Sequence, residues 1–259
     1  MTSPVSPTTS VDNAVCNGID WLLDLRNRDG GWPTFCRGWG ALPFDRSAQD
    51  LTAHVLRAFA CWLRSRGLSP NYIYQSPSNV RYYPDIRLCG VLRARDAGFA
   101  FLAKSQRPDG SWLPLWFGNQ FANDDENPTY GTARVLAAYR DCDRLSDSAA
   151  QRGISWLENA QNRDGGWGGA KGAPSSVEET ALAVEILLSC KNSADDVRAC
   201  ALCGLDWLVA AVENGKWLKP SPIGFYFAKL WYFEELYPLI FTVAALGRAV
   251  RRMQKLDLN

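Results

Sequence analysis

The feature that most constrains this chain is a turn that recurs four times: an apolar helical run stops at Asp-Gly or Asn-Gly, and a tryptophan follows within two residues. Gly18-Ile19-Asp20-Trp21-Leu22 leads to Asp29-Gly30-Gly31-Trp32, and Gly153-Ile154-Ser155-Trp156-Leu157 leads to Asp164-Gly165-Gly166-Trp167. Between them, Gly98-Phe99-Ala100-Phe101-Leu102 leads to Asp109-Gly110-Ser111-Trp112. A degraded fourth copy runs from Gly204-Leu205-Asp206-Trp207-Leu208 to Asn214-Gly215-Lys216-Trp217. Such dipeptides accept positive φ and end helices. A second apolar helix follows each turn, seeded at Thr52, Thr132, Thr180 and Thr242. In the first, Leu51, Val55, Phe59 and Trp62 recur at helical spacing and form one core-facing stripe.

The repeating unit is therefore a helix hairpin, and hairpins of this kind bury their apolar faces only against neighbours. The expected fold is all-α: about eight helices in four hairpins, curving side by side into an α/α toroid that is an incomplete ring. Residues 1–10, rich in Ser, Thr and Pro, read as a disordered tail, and residues 11–259 as the toroid domain. Short strand-like pieces such as residues 71–83 are the exception to the helical pattern.

The repeated element resembles the QW motif of squalene–hopene and oxidosqualene cyclases, in which a glutamine caps a helix and stacks on a tryptophan. Gln106 with Trp112 and Gln161 with Trp167 match it. Trp32 keeps the aromatic but Arg26 replaces the glutamine, and the fourth copy keeps only Trp217. The likeness covers residues 14 to 250 and is to the C-terminal part of a squalene–hopene cyclase. Protein prenyltransferase β subunits share the ring, but their zinc site needs ligands that a single-histidine chain hardly supplies.

The only histidine, His54, lies four residues after Asp50, so a helix puts both on one face. By itself such a pair reads as a structural hydrogen bond, or as a carboxylate that orients the imidazole and raises its pKa. The segment Gln49-Asp50-Leu51-Thr52-Ala53-His54-Val55-Leu56 is similar to the family's Glu-Asp-Val-Thr-Ala-His-Val-Leu, whose histidine supports the aspartic acid that protonates a terminal alkene. The resemblance thus implies catalytic roles for Asp50, His54 and Tyr130, the last through Tyr130-Gly131-Thr132. It implies a substrate-facing role for Trp116, Phe225, Tyr226, Trp231 and Tyr232; on pattern alone each reads as core before it reads as a cation cage. The reaction implied is cyclisation of a linear polyprene such as squalene, by an isomerase that needs no cofactor and no metal. It demands a protonated acid in a dry cavity lined with aromatic faces that stabilise carbocations.

The family's acid, an Asp-x-Asp-Asp segment, does not occur in the sequence. Asp45 and Asp50, flanking the helix start that bears His54, are the nearest substitutes, and Asp124-Asp125-Glu126 reads as a solvated acidic loop. A non-catalytic module that binds an isoprenoid or a protein is therefore the alternative function. Four hairpins also fall short of the roughly twelve helices of the family's ring, which calls for a second copy or a complementary cyclase subunit.

Composition removes other classes. Lys plus Arg number 28 against 27 Asp plus Glu, so the charge of +1 gives nucleic acid no purchase. Eight scattered cysteines and an N-terminus without a signal peptide point to a reducing, cytoplasmic setting. Cys200-x-x-Cys203 sits in an apolar run with no second pair and reads as two buried thiols rather than a zinc site. No apolar run spans a bilayer. Residues 223–250 are rich in aromatic and aliphatic side chains and read as a buried final helix pair, or as a surface that rests on a membrane.

Overall fold

The computed structural model describes residues 10–37, 42–73, 85–190 and 195–256. Among them are eight α-helices: α1 (Ser10–Leu25), α2 (Gln49–Ser65), α3 (Ile86–Lys104), α4 (Pro128–Asp141), α5 (Ser148–Ala160), α6 (Val177–Leu187), α7 (Asp195–Glu213) and α8 (Leu236–Leu256). Along the chain they form four successive helix–turn–helix units. The even helices form one layer, α2 on α4, α4 on α6 and α6 on α8. The odd helices form the other, and each nests behind the inner helix of the preceding hairpin: α3 behind α2, α5 behind α4, α7 behind α6.

The tryptophan turns explain this interleaving. An α-helix leaves its last four carbonyls without intrahelical donors. The indole Nε1 of Trp32, Trp112 and Trp167 donates to one of them, on Leu22, Leu102 and Leu157 respectively, at 2.7–2.8 Å. The backbone N–H of each tryptophan donates to the hydroxyl of Thr52, Thr132 or Thr180 in the first turns of the inner helix. All three rings are fully buried.

Each ring then reaches the next hairpin. A Cβ on Gly153 would meet the Trp112 ring at 2.6 Å, and one on Gly204 the Trp167 ring at 2.4 Å, so only glycine fits there. Gly98 faces Trp32 in the same way, at 3.1 Å. Gly18, the counterpart in α1, has no described atom within 4 Å. The glutamines fasten the same joint: Gln106 Nε2 donates to Gly110 O and Ala149 O, and Gln161 Nε2 to Gly165 O and Cys200 O. The fourth turn departs from the rule, with Trp217 half-buried in a 3-10 turn over Lys216–Leu218.

Several expectations need correction. The last hairpin is not simply a buried helix pair: an antiparallel ribbon, β1 (Pro222–Phe225) with β2 (Leu230–Phe233), precedes α8. Leu230, Phe233, Leu236, Ile240 and Val243 are exposed along it. Of the two thiols, Cys200 is buried but Cys203 is exposed. The acidic loop is a 3-10 turn whose carboxylates pair, Asp125 with Lys229 at 3.2 Å and Glu126 with Arg107 at 2.6 Å. Of residues 71–83, only 71–73 are described, and they are not strand. No helix of the described residues is long and apolar enough to cross a membrane.

Candidate active site on the concave face

The direction of curvature follows from contacts that skip a helix. Arg134 of α4 lies 4.5 Å from the Phe241 ring of α8, and Phe117, just ahead of α4, lies 6.4 Å from Tyr237. With α6 standing between α4 and α8, these side chains meet only on the inside of the bend. The concave face is thus lined by α2, α4 and α8 together with residues 115–118 and the β-ribbon.

Asp50 and His54 both come from α2, but their surroundings differ. Asp50 is buried at 1% exposure in the first turn, and Leu115 N donates to it at 3.3 Å. Burial pushes its carboxyl up to about 6, against the pull of the amides of Leu115 and Leu51 and of the Arg134 charge. His54 is open to water on one side and walled by protein on the others. Loss of solvent from those walls, with the charges of Arg134 and Arg57, pushes it down to about 4. The expected rise in the imidazole pKa is therefore reversed, and at neutral pH the ring is uncharged. No hydrogen bond joins Asp50 to His54 among the described residues.

Tyr130 is buried in the first turns of α4, its phenol pushed up to about 12 by desolvation. Its ring packs on Phe117 at 4.8 Å. Phe117 bridges to Phe225, and Gly118 N donates to Gly224 O, which fastens the β-ribbon to this loop. Gly118 is required here because a Cβ would stand 2.3 Å from Asp125 O and from Tyr226 Cβ. Trp116, half-buried, donates from Nε1 to Thr34 and packs on Phe225 at 5.2 Å and Phe227 at 5.4 Å. Tyr232 joins Phe225 at 6.2 Å, whereas Trp231 points to the other side of the ribbon, toward Gly118. Buried Glu179 accepts from Asn119 and Asn127 at 3.1 and 2.9 Å, anchoring both ends of this loop to α6.

Sequence reasoning missed Phe117, Phe227, Tyr237, Phe241 and Arg134. Arg134 stands one helical turn after Tyr130 and would emerge from projecting α4 as a helix. Its guanidinium lies 4.9 Å from the Tyr130 ring and 4.5 Å from that of Phe241. Its Nε is buried without an acceptor, an arrangement that costs about 1–3 kcal/mol. No group of His, Cys, Asp and Glu among the described residues could hold a metal ion.

The family described as the squalene-hopene cyclase C-terminal domain matches residues 91–251. The chain belongs to that family. As a squalene-hopene cyclase C-terminal domain it is 30% identical over 285 residues to the terpene cyclase-glycosyl transferase fusion protein fsoA of Humicola fuscoatra, with 97% of this chain and 20% of the fusion protein covered. It is 27% identical over 268 residues to the squalene–hopene cyclase of Bradyrhizobium diazoefficiens, with 93% of this chain and 35% of that enzyme covered. This cyclase domain thus spans about a fifth to a third of the length of these curated relatives. The ent-copalyl diphosphate synthase from Streptomyces platensis shares the α/α-toroid fold, with TM-score 0.61 at 22% identity over 95% of this chain and 38% of its own.

Proposed function

We propose that this chain is part of a class II terpene cyclase, an isomerase that folds a linear polyprene such as squalene against its concave face and cyclises it by protonation-initiated carbocation chemistry. The observation that carries the reading is the grouping of His54 and Tyr130 with Trp116, Phe117 and Phe225 on the concave face, with Asp50 sealed beneath Leu115 one helical turn from His54. Aromatic faces stabilise cations, and a buried carboxyl that holds its proton up to about pH 6 suits an acid site. In this reading neutral His54 accepts a proton or hydrogen bond from the acid, Asp50 secures that end of the site, and Tyr130 with Trp116, Phe225, Tyr226, Trp231 and Tyr232 shapes the substrate.

The given residues hold no Asp-x-Asp-Asp segment, and the second reading is a non-catalytic module that holds an isoprenoid or a protein. The cyclase reading meets this by drawing its acid from a complementary cyclase subunit, and its remaining helices from that subunit or from a second copy. An apolar groove of about 570 Å³ along α1 and α2, lined by Val15, Gly18, Trp21, Ala58, Cys61 and Trp62, offers such a partner a seat. The exposed apolar residues from Leu230 to Val243 support peripheral contact with a membrane from the cytoplasmic side.

Squalene is incubated with the purified chain, alone and with a cyclase fragment bearing Asp-x-Asp-Asp, and cyclised products are sought by gas chromatography with mass detection. Product that disappears in His54→Ala supports the cyclase. Wild-type product levels in that variant refute the role of His54, and product from the chain alone removes the module reading.

A further inference from the structure

Arginine keeps its charge at every physiological pH, so each guanidinium inside a fold needs a counter-charge. On the inner helices Arg57, Arg140 and Arg248 have one. Arg57 pairs with Asp141 at 2.7 Å, Arg140 with Asp141 at 2.8 Å and Glu185 at 2.6 Å, and Arg248 reaches Glu185 at 3.7 Å. Arg134 has none: among the described residues no carboxylate lies within 4 Å of it, its Nε lacks an acceptor, as that of Arg248 also does, and the Tyr130 phenol together with the rings of Tyr130 and Phe241 holds it instead. It sits in the hollow, within electrostatic reach of Asp50 and His54.

For a hydrocarbon substrate this is a poor arrangement. A fixed cation repels a nearby carbocation, and it occupies the π faces of Tyr130 and Phe241 that would otherwise steady one. The same group is well suited to an anion, since the planar fork donates two parallel hydrogen bonds to a phosphate or carboxylate.

We propose that Arg134 recognises the anionic head of the substrate, an isoprenoid ending in a diphosphate or a carboxylate, whose hydrocarbon tail lies along Trp116, Phe117 and Phe225. This rests on the isoprenoid-binding reading and narrows its substrate class from neutral polyprenes to charged ones.

Binding of geranylgeranyl diphosphate, geranylgeranoic acid and geranylgeraniol to the full chain is measured by tryptophan fluorescence and calorimetry. The chain is expected to bind at least one of the two acids about 10- to 100-fold more tightly than the alcohol, the range of a charge-assisted hydrogen bond; which acid gains more identifies the head group. Arg134→Gln is expected to abolish that preference, read as the ratio of acid to alcohol affinity within the variant. Arg134→Lys, which keeps the charge without the fork, is expected to retain part of it. Equal affinity for all three ligands in the wild type, or an undiminished preference in Arg134→Gln, overturns the proposal alone. Failure of all three to bind overturns the isoprenoid reading and the proposal with it.

Discussion

Replacing one glycine by alanine at two equivalent places should move stability in opposite directions. Gly18 and Gly204 occupy the same position in the first and last outer helices, and both lie in helix interiors. There alanine is favoured over glycine by about 0.8–1.0 kcal/mol. At Gly18 the new methyl meets no described atom within 4 Å, so that gain stands and Gly18→Ala is expected to stabilise by about 1 kcal/mol. At Gly204 the methyl would lie 2.4 Å from the Trp167 ring and 2.8 Å from Val184 Cγ2. The ring cannot yield, being fully buried and tethered through Nε1 to Leu157 O at 2.8 Å. Overpacking of this kind costs about 1–3 kcal/mol. Because the helix-propensity gain is common to both variants, the difference between them isolates the clash, again about 1–3 kcal/mol. Urea unfolding followed by circular dichroism at 222 nm measures each variant against the parent. Equal shifts at the two sites would refute the view that the outer-helix glycines are sockets for the preceding tryptophan.

Three further expectations follow from single groups. The folded pKa of Asp50, about 6, lies above its ordinary 3.8, so its contribution to stability is fully present below pH 3.8 and lost as pH rises through 6. Asp50→Asn should therefore stabilise at pH 7 by at most about 3 kcal/mol and change nothing at pH 3.5, in urea titrations at the two pH values. His54, the sole histidine, should give one imidazole Cε1–H resonance that titrates near pH 4 rather than 6.5. Its depressed pKa favours folding above 6.5, and that contribution fades as pH falls toward 4; a midpoint above 6 in the proton spectrum would contradict the described environment. Gln161→Ala removes the donor to both Gly165 O and Cys200 O and should cost about 1–3 kcal/mol in thermal unfolding.

The scaffold was legible because its determinants are short and local. A helix stop at Gly165, a tryptophan two residues later and a glutamine four residues before lie within one turn, and the turn repeats. The ribbon before α8 was not legible, since strands of four residues carry too little alternation to be told from a buried helix. The site was half legible. Asp50 and His54 are one helical turn apart, yet one is sealed by Leu115 from a distant loop and the other faces the hollow, a distinction made by residues 61 to 65 positions away in sequence. Phe241 reaches Arg134 only because the array bends, and the degree of bend is nowhere written in a single repeat.

The glycine sockets also act as a gauge of register. Gly153 is the only glycine of α5 and Gly204 the only one of α7, so a slide of either helix by one residue or one turn brings a β-carbon against a buried indole. Neighbouring hairpins therefore cannot creep along one another, and the spacing of the side chains that face the hollow is held by atoms that these positions lack.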